Sequence, residues 1–266
     1  MLKRSSLLTA LLFALVAALP LNLRGQSPYA DSKSLNATET LRYDLAFRWS
    51  FVRGKVGEAR LINKPANRSQ HFSQLIFRTT GLGDNVFPMR DTLETLFSAQ
   101  KLPIRYEKRT SENGFVMNDV LSYTYSSSRI ALKSKQWDKN RVRVDTTLYL
   151  KPGTVVADML STIALVRTAD YRTMKVGHRY PFISPDGAKL VKSNYRLTGY
   201  GTMKISKTET VNVLKIAIQI NDPAFEKEGN AMEVWLSRDE RLLPVFISAR
   251  LNLGYAECTL TGYSRN

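Results

Sequence analysis

The sequence predicts an all-β, mainly antiparallel fold: a curved β-roll or open barrel with one short helix packed on it. Three features lead there. Apolar and polar residues alternate along most of the chain, the mark of strands with one buried face. The breaks between these runs are of hairpin length and built from Gly, Pro, Asn, Asp and Ser, which suits antiparallel neighbours and not parallel crossovers. One segment alone, Val155 to Arg167, carries a helical period.

The residues ahead of the first strand divide in two. Lys3 and Arg4 precede an apolar run from Leu7 to Leu19, ended by Pro20. That run is short for a membrane span and suits the central region of a secretory leader. Residues 1–25 are therefore expected to be a signal peptide, the mature chain beginning between Leu19 and Gln26 with no membrane-spanning segment left after cleavage. Residues 26–40 are polar, with Pro28 and several serines, and read as a flexible lead-in. Residues 41–263 read as a single β-roll domain.

The first strand places Leu41, Tyr43, Leu45, Phe47, Trp49 and Phe51 on one face and Arg42, Asp44, Ala46, Arg48 and Ser50 on the other. Gly54-Lys55 turns it into a strand from Val56 to Asn63, and a loop at Pro65-Ala66-Asn67 leads to another from Gln70 to Thr80. After a break at Gly81 to Asn85, Phe87 to Phe97 alternates as a strand, although Thr92 to Leu96 could also start a short helix. Leu102 to Arg109 reads as its hairpin partner. The turn Ser111-Glu112-Asn113-Gly114 introduces strands at 115–125, 129–136 and 141–150, which Lys151-Pro152-Gly153 stops. Val156, Met159, Leu160, Ile163 and Val166 then recur at helical spacing, with Thr154 or Asp158 as N-cap. The apolar face of this helix is expected to plug an open side or end of the sheet through Leu160 and Ile163. Strands resume at 177–182, 189–200 and 208–220, and 221–230 reads as a surface loop. The closing meander runs from Met232 through the turn at Ser237 to Arg241, back along Leu243 to Leu251, and out through Tyr255 to Tyr263.

With 266 residues, 43% hydrophobic and 23% charged, the chain can bury a sizeable core, and a largely disordered state is excluded. The formal net charge is +16, and loss of Lys3, Arg4 and Arg24 with the leader would bring it to +13. An exported basic protein suits anionic neighbours such as lipid headgroups or acidic glycans. The basic residues are scattered, however, and densest at Lys133, Lys135, Lys139, Arg141 and Arg143, which also fits solvated strand faces. No nucleic-acid-binding motif is present, and nucleic acid is not an expected partner. Cys258 is alone, which excludes an intramolecular disulfide; its place in the strand pattern predicts a buried thiol.

Chemistry is sparse. His71 and His178 are the only histidines, without an HxH, HExxH or Cys/His cluster, so neither a metal site nor a cofactor is expected. There is no G-x-S-x-G elbow. Asp158 suits a helix cap better than a general acid, and Asp239-Glu240 suits a solvated turn. No catalytic residue emerges, and the reading favours a non-enzymatic protein. The aromatics are more suggestive. Phe47, Trp49 and Phe51 share one face of one strand, while Trp235 and Phe246 sit opposite the aliphatic rows of theirs. Such rings are either ordinary core residues or, in a partly open roll, the lining of a ligand cavity that takes an acyl chain.

The order of several short motifs resembles a known family. Gly57-Glu58-Ala59 follows an aromatic first strand. Asp158-Met159-Leu160-Ser161 heads a helix that ends in Val166-Arg167. Val234-Trp235-Leu236-Ser237 precedes Asp239 and Leu243-Pro244-Val245, and Leu253-Gly254 lies near the close. Together these resemble the exported bacterial family called domain of unknown function 3108, over roughly Leu41 to Tyr263. Met159 departs from a proline common in the family at that place. The resemblance implies a largely antiparallel β-roll or open barrel in the periplasm or cell envelope, with Asp158, Leu160, Ser161, Trp235 and Pro244 as structural motif residues, and it implies no activity. Two expectations follow: an envelope protein that binds a lipid or lipid-linked glycan, or an interaction protein of envelope assembly with a filled core. An unrecognised hydrolase stands behind both.

Overall fold

The computed structural model describes residues 27–49, 52–206, 208–220, 232–251 and 254–265. The leader and the loop expected at 221–230 lie outside them. The alternating runs become fourteen strands: β1 (Glu39–Trp49), β2 (Val52–Pro65), β3 (His71–Thr79), β4 (Arg90–Phe97), β5 (Pro103–Glu112), β6 (Phe115–Tyr125), β7 (Ile130–Asp138), β8 (Val142–Leu150), β9 (Tyr180–Asp186), β10 (Lys189–Lys204), β11 (Thr210–Ile220), β12 (Met232–Ser237), β13 (Pro244–Leu251) and β14 (Gly254–Arg265). A short helix, α1 (Leu82–Val86), occupies the break after β3, and a longer one, α2 (Met159–Val166), separates β8 from β9. The segment Thr92 to Leu96 is strand, within β4.

All fourteen strands join one antiparallel sheet in the order β8-β7-β6-β5-β4-β3-β2-β1-β14-β13-β12-β11-β10-β9. The chain thus lays down eight strands as a meander, crosses through α2, and returns as a second meander of six whose last strand pairs with the first. β1 lies at the join, bonded to β2 on one side and β14 on the other. The sheet is open: β8 and β9 end the order and do not pair with each other. Bulges at Leu45/Ala46 against β2 and at Arg42/Tyr43 against β14 increase its bend. The two-residue turn between Glu112 and Phe115 has both Asn113 and Gly114 at positive φ, which matches its twist to the flanking strands.

The core lies on the face where β1 presents Leu41, Tyr43 and Leu45. α2 runs through it. Leu160 and Ile163 pack with Leu41, Leu61, Leu75, Leu93 and Tyr123 of the first meander. Ala164, Leu165 and Val166 pack with Leu214, Ile216, Val234 and Leu236 of the second. Every residue of α2 except Met159 is buried. Apart from Met159 the helix has no solvent face; it fills the space between two walls and does not close an open side or end of the sheet. It is shorter than its periodicity suggests. Val155 to Ala157 stay extended because Ile183 of β9 donates its N–H to Val155 O at 2.9 Å and accepts from Ala157 N–H at 3.0 Å.

One expectation needs correction. Ser27 to Ala37 is not a loose lead-in. Tyr29, Ser32, Ser34 and Leu35 are buried. The Tyr29 ring meets Phe97 edge-on at 6.0 Å, its hydroxyl donates to Val156 O, and Ser32 Oγ donates to Ala164 O at 2.8 Å. Polar composition concealed this because Ser32, itself bonded to Ser34, satisfies a backbone carbonyl of the buried helix that an apolar residue would leave unpaired.

Candidate functional site

α2 is held at both ends by buried polar joints. At its N-terminus Asp158 accepts from Ser161 N–H at 2.7 Å, from Thr95 Oγ1 at 3.1 Å and from Tyr123 Oη at 3.1 Å. This cap satisfies an otherwise free helix amide and ties the helix to β4 and β6. Burial pushes the Asp158 carboxyl above its usual range, and the donated hydrogen bonds oppose that shift. Burial also raises Tyr123 well above the ordinary phenol range, helped by the Asp158 charge. A carboxylate this enclosed, with its donors arranged around a helix start, is built for support.

At the other end Arg167 bonds Glu39 through two nitrogens, Nη2–Oε2 at 3.3 Å being the longer contact, and Nη2 donates to Arg241 O at 2.8 Å. Both side chains are only 1% exposed. Glu39 Oε1 also accepts from Asn63 Nδ2 at 2.9 Å, and Ser73 Oγ donates to Asn63 Oδ1. This line of groups crosses β1, β2 and β3 and fixes the helix exit to the wall. Glu39 continues the inward alternation of Leu41 and Tyr43 two residues upstream; that parity was its one signal in the sequence.

The motif residues fall on the same framework. A Cβ at Gly57 would lie 2.2 Å from Arg78 O, so only glycine lets β2 and β3 approach there. Ser237 Oγ accepts from Leu243 N–H at 2.8 Å and donates to Asp239 at 3.1 Å, closing the turn whose Arg241 carbonyl receives Arg167. Pro244 offers its carbonyl to Tyr43 Oη at 2.9 Å. Leu160 and Ser161 are buried in α2.

Trp235 and Phe246 are direct cross-strand partners, ring centroids 5.0 Å apart, with Lys215 Nζ 4.5 Å above the indole. Beside them a groove of about 430 Å³ is lined by Arg48, Glu233, Phe246, Ser248, Arg250, Tyr255 and Glu257. Arg48 bonds Glu257 at 2.9 Å while its guanidinium lies 4.0 Å over the Tyr255 ring. These residues come from β1, β12, β13 and β14, so no local pattern joins them in sequence. Of the expected cavity residues, Phe47 is half-buried, while the Trp49 side chain and Phe51 lie outside what the structure describes. His71 sits across from Phe97 in a strand pair, and His178 meets Tyr180 edge-on at 4.9 Å. Among the described residues no three His, Cys, Asp or Glu side chains are grouped to hold a metal. The Cys258 thiol is buried and pushed up to about 12 by that burial.

These features define a class: an open, curved antiparallel sheet wrapped around its own helix, with polar joints inside and an aromatic, charged groove elsewhere on the sheet. The chain belongs to the family described as protein of unknown function DUF3108, whose model matches residues 42–261. A comparison with curated proteins found no match. Among solved structures it is similar to a β-barrel-like protein of domain of unknown function DUF1849 from Brucella abortus, with a TM-score of 0.59 and 12% identity over 86% of this chain and 98% of that one. At that identity the likeness is one of fold.

Proposed function

We propose that the protein is an exported, non-enzymatic component of the cell envelope that works through its surface, as an interaction or assembly protein with a filled core. One observation carries the reading: α2, buried on all sides but Met159, occupies the space between the two meanders where a carrier would hold its ligand. Enclosed ligand sites generally need several hundred Å³ of largely apolar space. The leader pattern and the positive charge support export and anionic surroundings.

A second reading rests on the groove beside Trp235. Its rings, guanidiniums and carboxylates suit the hydroxyls and faces of sugars, so the glycan part of a lipid-linked glycan is the ligand it favours. Native mass spectrometry of protein purified from its own envelope separates the two. The first reading expects the bare mature chain; a stoichiometric lipid or glycolipid adduct would overturn it, and loss of that adduct in Tyr255→Ala would establish the second.

A further inference from the structure

The sheet has one long edge with which no other described strand pairs, although the β9–β10 turn at Gly187 lies against Gln136 of the neighbouring β7. β8 bonds only to β7, whereas β9, at the other end of the order, is met at Ile183 by the extended residues 155–157. β8 is nine residues long, about 30 Å of strand. It contains no proline, and its blunting is confined to a register shift at Gln136/Trp137 of β7 and the charges of Arg143 and Asp145. Natural edges are usually blunted by proline, bulges, short length or charge, because a row of free N–H and C=O groups is a template for another strand.

What surrounds this edge says what would fit it. Val144, Leu148 and Leu150 are only half-buried, and Leu148 and Leu150 pack against the core from its margin. Val142 is 53% exposed, whereas Tyr149 lies on the face opposite Leu148 and Leu150, with the Arg129 guanidinium 4.6 Å over its ring. A strand added beside β8 would therefore cover apolar groups with every second side chain. Its other side chains would fall on the face of Lys133, which pairs across from the short Thr147 and can lean over it. The β7–β8 hairpin carries Lys133, Lys135, Lys139, Arg141 and Arg143 against Asp138 and Asp145. Arg143 is held by Asp138, while Lys133, Lys135, Lys139 and Arg141 make no ion pair among the described residues. A second copy would bring the same excess of positive charge to the edge. An acidic segment would neutralise it.

We infer that β8 is a docking edge for an extended, alternating apolar and acidic polypeptide segment of another protein, which adds to the sheet as a fifteenth strand. This rests on the reading of the protein as a surface-acting interaction component and names the chemistry of its partner. Main-chain bonds would supply affinity and the alternation would supply specificity.

The probe is a capped eight-residue peptide of alternating Val and Glu, added to the mature protein while amide hydrogen exchange is followed. Exchange across Val142 to Leu150 should slow by about tenfold or more, a change worth about 1.4 kcal/mol. A Val-Lys peptide should not produce this. The double variant Lys133→Glu, Lys135→Glu, both exposed positions, should weaken binding of the Val-Glu peptide by at least tenfold. A Val-Glu peptide N-methylated at alternate residues should fail to protect β8. Equal binding of the N-methylated peptide would reduce the effect to charge alone and overturn the proposal, as would protection elsewhere or none. Protection of β8 that grows with protein concentration without peptide would make the occupant a second copy and also overturn it. Failure here with no lipid adduct in native mass spectrometry leaves the filled-core reading standing; an adduct removes that reading whatever β8 does.

Discussion

Asp158 links pH to stability in a direction opposite to most carboxylates. Burial raises its folded-state pKa above the ordinary value near 3.9. The folded chain therefore keeps the proton to higher pH than the unfolded chain. Its contribution is full below the ordinary value and is lost as pH rises through the raised one. Asp158→Asn retains an oxygen for the Ser161 amide and should remove this slope in urea unfolding followed across mildly acidic to neutral pH; an unchanged slope would contradict it. Asp158→Ala should cost about 1–2 kcal/mol for the cap, with more from the stranded Tyr123 hydroxyl. Arg167 makes the complementary case. Arg167→Ala leaves Glu39 buried without its charge partner, and a loss of about 3–5 kcal/mol in denaturant unfolding is expected. A loss below about 1 kcal/mol would mean that water reaches Glu39.

At the scale of elements, α2 is the piece on which the two meanders meet. Leu160→Ala should destabilise by about 2–5 kcal/mol, read from the urea midpoint at constant slope. Met159→Ala, on the exposed side of the same turn, should change it by less than about 0.5 kcal/mol. Tyr29→Phe should cost about 1 kcal/mol, the worth of its bond to Val156 O. These elements also show what the sequence could reveal. The strands were legible because one-sided burial imposes alternation, and Asp158 because a cap precedes an apolar period. Residues 27–37 were not: Tyr29 and Ser32 are bound by contacts 127 and 132 residues away, and serines that serve buried carbonyls look the same as serines in water. The groove was half legible. Trp235 and Phe246 betrayed themselves by opposing their strands' aliphatic rows, but the Arg48–Glu257 pair spans 209 residues and leaves no local trace.

For the whole molecule, the central claim is that the core is filled by a helix that stays in place, leaving function to the surface. A carrier would release or shift its plug to admit a ligand, and local opening of that kind exposes amides well below the free energy of global unfolding. Native-state hydrogen exchange resolves the two directly. The amides of Thr162 to Val166 in α2 and of Arg167 just after it should exchange only with the slowest set, at the free energy of global unfolding and with its full denaturant dependence, together with those of the central strand β1. Exchange of these helix amides through a separate opening several kcal/mol lower, while β1 remains protected, would contradict the account and make α2 a gate.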